Sequence, residues 1–235
     1  MENDLPWLKK QGTKIIVNAG GSTVEDYVEM CRILNKQDID GVELNLSCPN
    51  VKAGCAAFGT TYEGVKLVTS EVRKVLDKPL IVKLTPNVTD ITATAKAVED
   101  AGADGVSLIN TLLGMSINIE TRKPYLANNM GGLSGPAIRP VAVRMVYQAS
   151  KAVKIPILGL GGIMNGKDVV EFMMAGATAI SIGSATLRDP AASVKAIEEV
   201  ETFMKIHNIE DINNIIGTVQ LNWFVGADDS VRLNE

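Results

Sequence analysis

Six short β-branched runs, each followed by an amphipathic stretch, predict an α/β fold on a parallel sheet. The runs are almost continuously apolar, as in strands covered on both faces. The turns between them are marked by Gly, Pro and Asp. Composition agrees: 46% hydrophobic and 21% charged residues suit one buried core, and 21 Gly with 4% aromatics suit packing by small side chains.

The first run, 14–18 (KIIVN), leads to Ser22-x-x-Glu25, a capping-box pattern opening a helix to about residue 34. After 41–46 (GVELNL), Thr60 or Thr61 starts a helix to about residue 76. After 80–84 (LIVKL), Thr89-Asp90 starts one that Gly102 closes. The run 105–110 (GVSLIN) enters a long segment with two Gly clusters, where 116–120 and 124–127 flank Thr121-Arg122-Lys123 as a β-hairpin. A segment that long in a compact domain is usually functional. A helix over 139–152 is entered through Pro136 and Pro140. After 156–160 (PILGL), Asn165-x-x-Asp168 starts a helix ending at Gly176. After 179–183 (AISIG), Asp189 is placed to cap a helix with Pro190 at its first position, running to about 207.

No long crossover of the doubly wound kind interrupts this order, so the sheet should close into a barrel. A closed barrel of this type has eight units. The prediction is a TIM-type (β/α)8 barrel, cut at its N-terminus to about six β/α units, over residues 1–221. A polar tail over 222–235 is expected to be poorly ordered.

Several function classes drop out. A net charge of −4 gives no electrostatic case for nucleic acid. Three Cys in 235 residues are not a disulfide scaffold. The only His, His207, stands in a polar segment, which argues against Ser-His-Asp and His-ligand chemistry. No N-terminal signal pattern occurs, and no apolar run reaches the roughly 18 residues of a membrane helix. The expectation is a cytoplasmic protein with no metal and no membrane partner.

Polar residues cluster where the strands end, the catalytic end of such barrels. Asn18, Asn45, Lys83 and Asn110-Thr111 close the first four runs. Lys83, between apolar neighbours, is either a snorkelling surface Lys or a fixed cation in the barrel mouth. Three amides and a cation suit a planar, hydrogen-bonding heterocycle. Gly161-Gly162 and Gly183-Ser184 follow the last two strands, where backbone amides ahead of helices form an anion site. Cys48, two residues past a strand and before Pro49, sits on a stiff loop. A thiol with a pKa near about 8.5 suits a base that takes a proton from a weakly acidic carbon. Cys31 reads as a small core residue and Cys55 as incidental; Cys48-x6-Cys55 lacks further ligands for zinc.

The string ELNLSCPNVKAG, followed by FGT, KLTPNVTDI, INTLLG, GGLSGPAIRP, GLGGI and IGSA, resembles class 1 dihydroorotate dehydrogenases, and most closely the NAD-linked type, from about Leu5 to Leu221. The resemblance implies a (β/α)8 barrel that carries FMN and oxidises dihydroorotate to orotate in pyrimidine biosynthesis. It implies Cys48 as the base for the C5 proton while the C6 hydride passes to flavin N5. Asn45 would touch flavin and substrate, and Lys83 would face the flavin N1/C2-carbonyl edge. Asn110, Thr111 and Asn50 would bind orotate. Asn18, Ile109 and Gly135 would line the flavin, with its phosphate on Gly161, Gly162, Gly183 and Ser184. The NAD-linked type also implies a homodimer joined by an iron–sulfur flavoprotein subunit, which carries FAD and passes electrons to NAD. The family has two further β/α units before the stretch LPWLKK; they supply other flavin and orotate contacts. Smaller departures are the residue after Asn18, Cys55 at a usual Gly, and the tail.

Three other readings compete. The uracil-reducing domain of dihydropyrimidine dehydrogenase shares NLSCP and a nearly identical KLTPNVTDI but differs after the Cys. A barrel lacking its first units could be a catalytically inactive interaction module. A flavin-free phosphate-binding barrel could use Lys83 as a Schiff-base lysine.

Overall fold

A computed structural model describes residues 4–47 and 58–222. After helix α1 (Asp4–Lys10), strand and helix alternate: β1 (Ile16–Ala19), α2 (Val24–Asn35), β2 (Gly41–Asn45), α3 (Tyr62–Arg73), β3 (Leu80–Lys83), α4 (Ile91–Asp100) and β4 (Gly105–Leu108). Then come four short strands, β5 (Leu112–Gly114), β6 (Ile117–Asn118), β7 (Lys123–Pro124) and β8 (Gly131–Leu133). The alternation resumes with α5 (Arg139–Ala152), β9 (Ile157–Leu160), α6 (Gly166–Met174), β10 (Ala179–Ser181), α7 (Ser184–Arg188) and α8 (Ala192–Ile206).

All six predicted long runs become strands of one parallel sheet, ordered β1-β2-β3-β4-β9-β10. That is the order of a barrel wall, each strand beside the next one along the chain. Among the described residues, β1 and β10 are the sheet's edges.

The helices form for local reasons. Thr23 caps α2 reciprocally: its hydroxyl accepts from Asp26 N–H, and the Asp26 carboxylate accepts from Thr23 N–H at 3.0 Å. The cap therefore lies one residue beyond the expected Ser22. On α2, Tyr27, Cys31 and Leu34 are buried, one helical face against the sheet. Thr61, Asp90 and Asn165 cap α3, α4 and α6 as their side chains predict. Asp189 does not cap α8; Ala191 occupies that position, and the Asp189 carboxylate accepts from Ala191 N–H at 3.0 Å instead.

Burial corrects one expectation. β4 is buried along its whole length, but β2 and β3 are not equally covered on both faces. Val42, Leu44, Leu80, Val82 and Val106 are fully buried under the helices, while Glu43, Asn45, Ile81 and Lys83 on the other face are only half-buried. Each fully buried Val or Leu contributes roughly 1.5–3 kcal/mol, so the helix-covered face holds the sheet. The half-covered inner face carries the polar residues.

Asp40 ties the start of β1 to the loop before β2. Its carboxylate accepts from Lys14 Nζ and from Ile15 N–H, each at 2.9 Å. These hydrogen bonds, with the nearby Lys9 charge, hold its carboxyl down at about 2. A depressed folded value stabilises above the unfolded carboxyl's pKa of about 3.9 and is lost as pH falls through the folded value. Asp40→Asn should therefore lower Tm at neutral pH. The gap to the unsubstituted chain should close as pH drops from about 4 to about 2; a gap independent of pH would contradict the assignment.

Candidate active site

The C-terminal ends of β3, β4, β9 and β10 surround a cavity of about 350 Å3. That size falls in the range of roughly 300–1,000 Å3 typical of small-ligand sites. Lys83, Ile109, Asn110, Thr111, Gly135, Gly161, Gly162, Gly183 and Ser184 all line it. Nine of the residues singled out from sequence thus meet in one place. Lys83 is no snorkelling surface residue: it lines the cavity from the sheet's inner face, and among the described residues no carboxylate lies within ion-pairing distance of it.

Among the described residues, the turns after β9 and β10 leave several N–H groups free at the cavity. Gly162, Ile163, Gly183 and Ser184 all line the cavity, and among the described residues none of their N–H groups has a protein acceptor. Four such donors beside one cavity fit a phosphate. Gly162 has φ +81°, and a Cβ there would lie 2.6 Å from the Gly135 carbonyl oxygen. Its turn is fixed by Arg139 at the start of α5, whose guanidinium bonds Asp168. The Asp168 carboxylate in turn accepts from Met164 N–H at 2.8 Å. At Gly183, by contrast, a Cβ would meet nothing within 4 Å and would project into open space. Gly162→Ala should lower Tm and phosphate-ligand affinity together. Gly183→Ala should leave Tm unchanged and lower affinity alone, as read by thermal melts and a titration with a phosphate-bearing ligand. Equal Tm losses in both would remove Gly183 from the cradle.

The amides stand beside this cavity. Asn45 on β2 pairs in register with Lys83 on β3, which pairs with Ser107 on β4, so their side chains share the inner face. Asn18 is more exposed and donates to Glu43 at 2.5 Å. Neither Asn18 nor Asn45 lines the cavity itself. Buried Tyr27 donates its hydroxyl to the Asn45 carbonyl at 2.9 Å, fixing the end of β2. Asn110 spends its amide N–H groups on Ser47, on the carbonyl at 3.0 Å and the hydroxyl at 2.7 Å. Cys48 and Asn50 lie outside the described residues, as does Cys55. Cys48 follows Ser47 directly in the chain, and Ser47 is 3% exposed.

Cys31 behaves as a core residue: it is fully buried, and burial pushes its thiol up to about 11. Such a thiol is no base at neutral pH.

Beyond Thr111, the predicted hairpin forms, with Ile117 paired to Pro124 and Asn118 to Lys123. It is nested inside a second hairpin that pairs β5 with β8. Asn87 pins the base of the pair: its Nδ2 donates to the Thr111 carbonyl at 3.1 Å and its Oδ1 accepts from Leu113 N–H at 2.9 Å. Sequence reasoning missed Asn87, Ser47, Ser107 and Glu43 as site residues. Only Glu43 carried a signal, as a charge within an apolar strand two residues before Asn45.

A second, larger groove of about 670 Å3 lies between α6, β10 and α8, with Ile180, Ile182, Ala196, Val200 and Met204 among its lining residues. It contains no cation, so the polar cavity is the better candidate.

A solved structure of an Eimeria tenella enzyme, titled as DHODH in complex with ferulenol, superposes with a TM-score of 0.71 at 20% identity. The match covers 83% of this chain and 57% of that one, and it establishes the fold alone. Three relatives are described as dihydroorotate dehydrogenase B (NAD(+)), catalytic subunit. The Alkaliphilus metalliredigens protein is 55% identical over 219 residues, 93% of this chain and 72% of its own. The Thermoanaerobacter sp. protein is 51% identical over 222 residues, 94% and 74%. The Porphyromonas gingivalis protein is 49% identical over 220 residues, 93% and 72%. Residues 1–204 match the dihydroorotate dehydrogenase family as a whole. With a barrel-wall sheet, a cation and an anion cradle at its strand ends, and half its residues shared with NAD-linked relatives, the chain belongs to the dihydroorotate dehydrogenase family, NAD-linked type.

Proposed function

We propose that this chain is an FMN-carrying catalytic subunit that oxidises (S)-dihydroorotate to orotate in pyrimidine biosynthesis. The observation that carries the proposal is the cavity: Lys83 and four unpaired backbone N–H groups share its lining, a cation and an anion-binding set that suit the two polar parts of a flavin mononucleotide. When bound, FMN supplies a two-electron acceptor for the C6 hydride.

The chain's residues do the rest. Gly162 and Ser184, with their neighbours Gly161 and Gly183, hold the phosphate, and Ile109 and Gly135 flank the ring system. Lys83 places a positive charge where the ring gains electrons, a preorganised electrostatic contribution. Asn18 and Asn45 complete the polar wall on the inner face. Asn110, Thr111 and Asn50 hold the pyrimidine. The Cys48 thiolate takes the C5 proton as the C6 hydride departs with its electron pair, leaving the C5=C6 double bond of orotate.

The relatives' names, catalytic subunit and NAD(+), support a second subunit and NAD as acceptor; the resemblance to the NAD-linked type adds the rest of a further reading. In it two copies pair, and a separate iron–sulfur subunit with FAD carries electrons to NAD. Among the described residues no helix is long and apolar enough to cross a membrane, which suits a cytoplasmic enzyme.

Orotate formation with an artificial electron acceptor tests the substrate. Dihydroorotate should be consumed and 5,6-dihydrouracil should not. Turnover of dihydrouracil alone would assign the site to pyrimidine reduction of the dihydropyrimidine dehydrogenase kind.

A further inference from the structure

Asn87, in the loop after β3, bonds the base of the nested hairpins. Its Nδ2 donates to the Thr111 carbonyl at 3.1 Å, and its Oδ1 accepts from Leu113 N–H at 2.9 Å. One amide thus takes the carbonyl of one residue and the N–H of the residue two further on, the pairing that a neighbouring parallel strand would make. β8 pairs with β5 along its other edge. Asn87 therefore stands in for a strand along the edge that β8 leaves. A backbone carbonyl only accepts and a backbone N–H only donates, so these two bonds admit one orientation of the amide. Thr85 anchors it from behind: its hydroxyl, in a residue 5% exposed, accepts from the Asn87 N–H at 3.2 Å and from Nδ2 at 3.0 Å.

Asn87 does not line the cavity, but the segments it holds lead into it. Thr111 lines the cavity, and β8 runs on into Ser134 and Gly135, which line it too. Thr111 and β8 also touch directly, since a Cβ at Gly132 would overlap the Thr111 hydroxyl oxygen. Gly132 is the register partner of Leu113, whose N–H Asn87 accepts. Two amides therefore hold Thr111 from opposite sides: Asn110 Oδ1 accepts from its N–H at 2.9 Å, and Asn87 donates to its carbonyl.

We propose that Asn87 is a positioning residue of this site: from outside the cavity its amide holds Thr111 and the start of β5, and so places the wall that Thr111, Ser134 and Gly135 present to a ligand. That the ligand is dihydroorotate rests on the function proposed above; the hold on Thr111 does not.

The first arm of the test is free of ligand. Backbone amide exchange is followed by NMR in the full chain at Leu113, which Asn87 holds directly, and at Thr111, whose own acceptor is Asn110. Asn87 is exposed, so its variants should fold. In Asn87→Ala both amides should exchange about tenfold faster, the size of one or two lost hydrogen bonds. Asn87→Asp keeps an oxygen for Leu113 N–H but meets the Thr111 carbonyl with a second acceptor. Leu113 should then stay within about threefold of its original rate, while Thr111 again exchanges about tenfold faster. An unchanged Leu113 in Asn87→Ala would overturn the proposal. So would an unchanged Thr111 in both variants, which would confine Asn87 to covering the edge of β5.

The second arm is kinetic. With an artificial electron acceptor, the KM for dihydroorotate should rise about tenfold in both variants, with kcat within about threefold. Thr111→Val removes the hydroxyl that Asn87 places. In the double variant with Asn87→Ala, the rise in KM should fall short of the product of the two single rises. A full product would mean an effect that does not pass through Thr111, and would overturn the proposal. An unsubstituted chain that turns over no dihydroorotate would count against the proposed function alone, because the exchange rates are measured without ligand.

Discussion

Cys48→Ala is expected to abolish dihydroorotate oxidation while leaving FMN bound. General base catalysis by one positioned group is worth roughly 10²–10⁴-fold in rate, and no other described residue offers a substitute. Cys31 is buried with its thiol pushed up to about 11, and the single His, His207, lies at the end of α8 against Phe203, far along the chain from the cavity's strand ends. The residue before Cys48 is held from two sides, by Asn45 and by Asn110, so the loop leaves β2 from a fixed point. Cys48→Ser should keep weak activity that rises towards higher pH, since a hydroxyl is a far poorer base than a thiolate. Stopped-flow reduction of bound flavin separates the cases. Loss of flavin from Cys48→Ala, or normal turnover in it, would remove Cys48 from this role.

Lys83→Ala should produce the complementary pattern: weak FMN retention and slow flavin reduction. Removing one preorganised group that stabilises developing charge costs roughly 10²–10³ in rate. Lys83 has no carboxylate partner among the described residues, so its charge is not spent within the protein. It faces the cavity from the half-buried side of the sheet, where solvent screening is reduced. The two variants are thus distinguishable by flavin content alone: Cys48→Ala stays yellow and Lys83→Ala bleaches on dialysis. An unchanged half-reaction in Lys83→Ala would exclude it from the site.

The strands were legible because β-branched runs such as LIVKL and GVELNL are local signals. The strand order followed because no long crossover interrupts them. Helix caps were legible only to within a residue or two. Ser22-x-x-Glu25 and Thr23-x-x-Asp26 overlap, and the sequence does not distinguish them; in the structure Thr23 and Asp26 make the reciprocal bonds. At Asp189 the side chain bonds the N–H of the cap residue Ala191 from two residues before it, and α7 occupies the space just ahead. Burial of the sheet's inner face was misjudged because it depends on what closes over it, which no local pattern reveals.

The site was legible where chemistry is concentrated in strings. Lys83, Asn110-Thr111, Gly161-Gly162 and Gly183-Ser184 converge on the cavity because each follows a parallel strand at its C-terminal end. The residues that join them were not legible. Ser47 reaches Asn110 across 63 positions and Glu43 reaches Ser107 across 64. Their roles come from register between strands, where Asn45, Lys83 and Ser107 stand side by side, and not from any motif.

Anaerobic addition of dihydroorotate to the chain loaded with FMN tests the central claim most directly. The account predicts that the visible flavin band disappears and orotate forms in equal amount. A chain that binds FMN but keeps its oxidised spectrum with dihydroorotate, or that takes up no FMN at all, would contradict it.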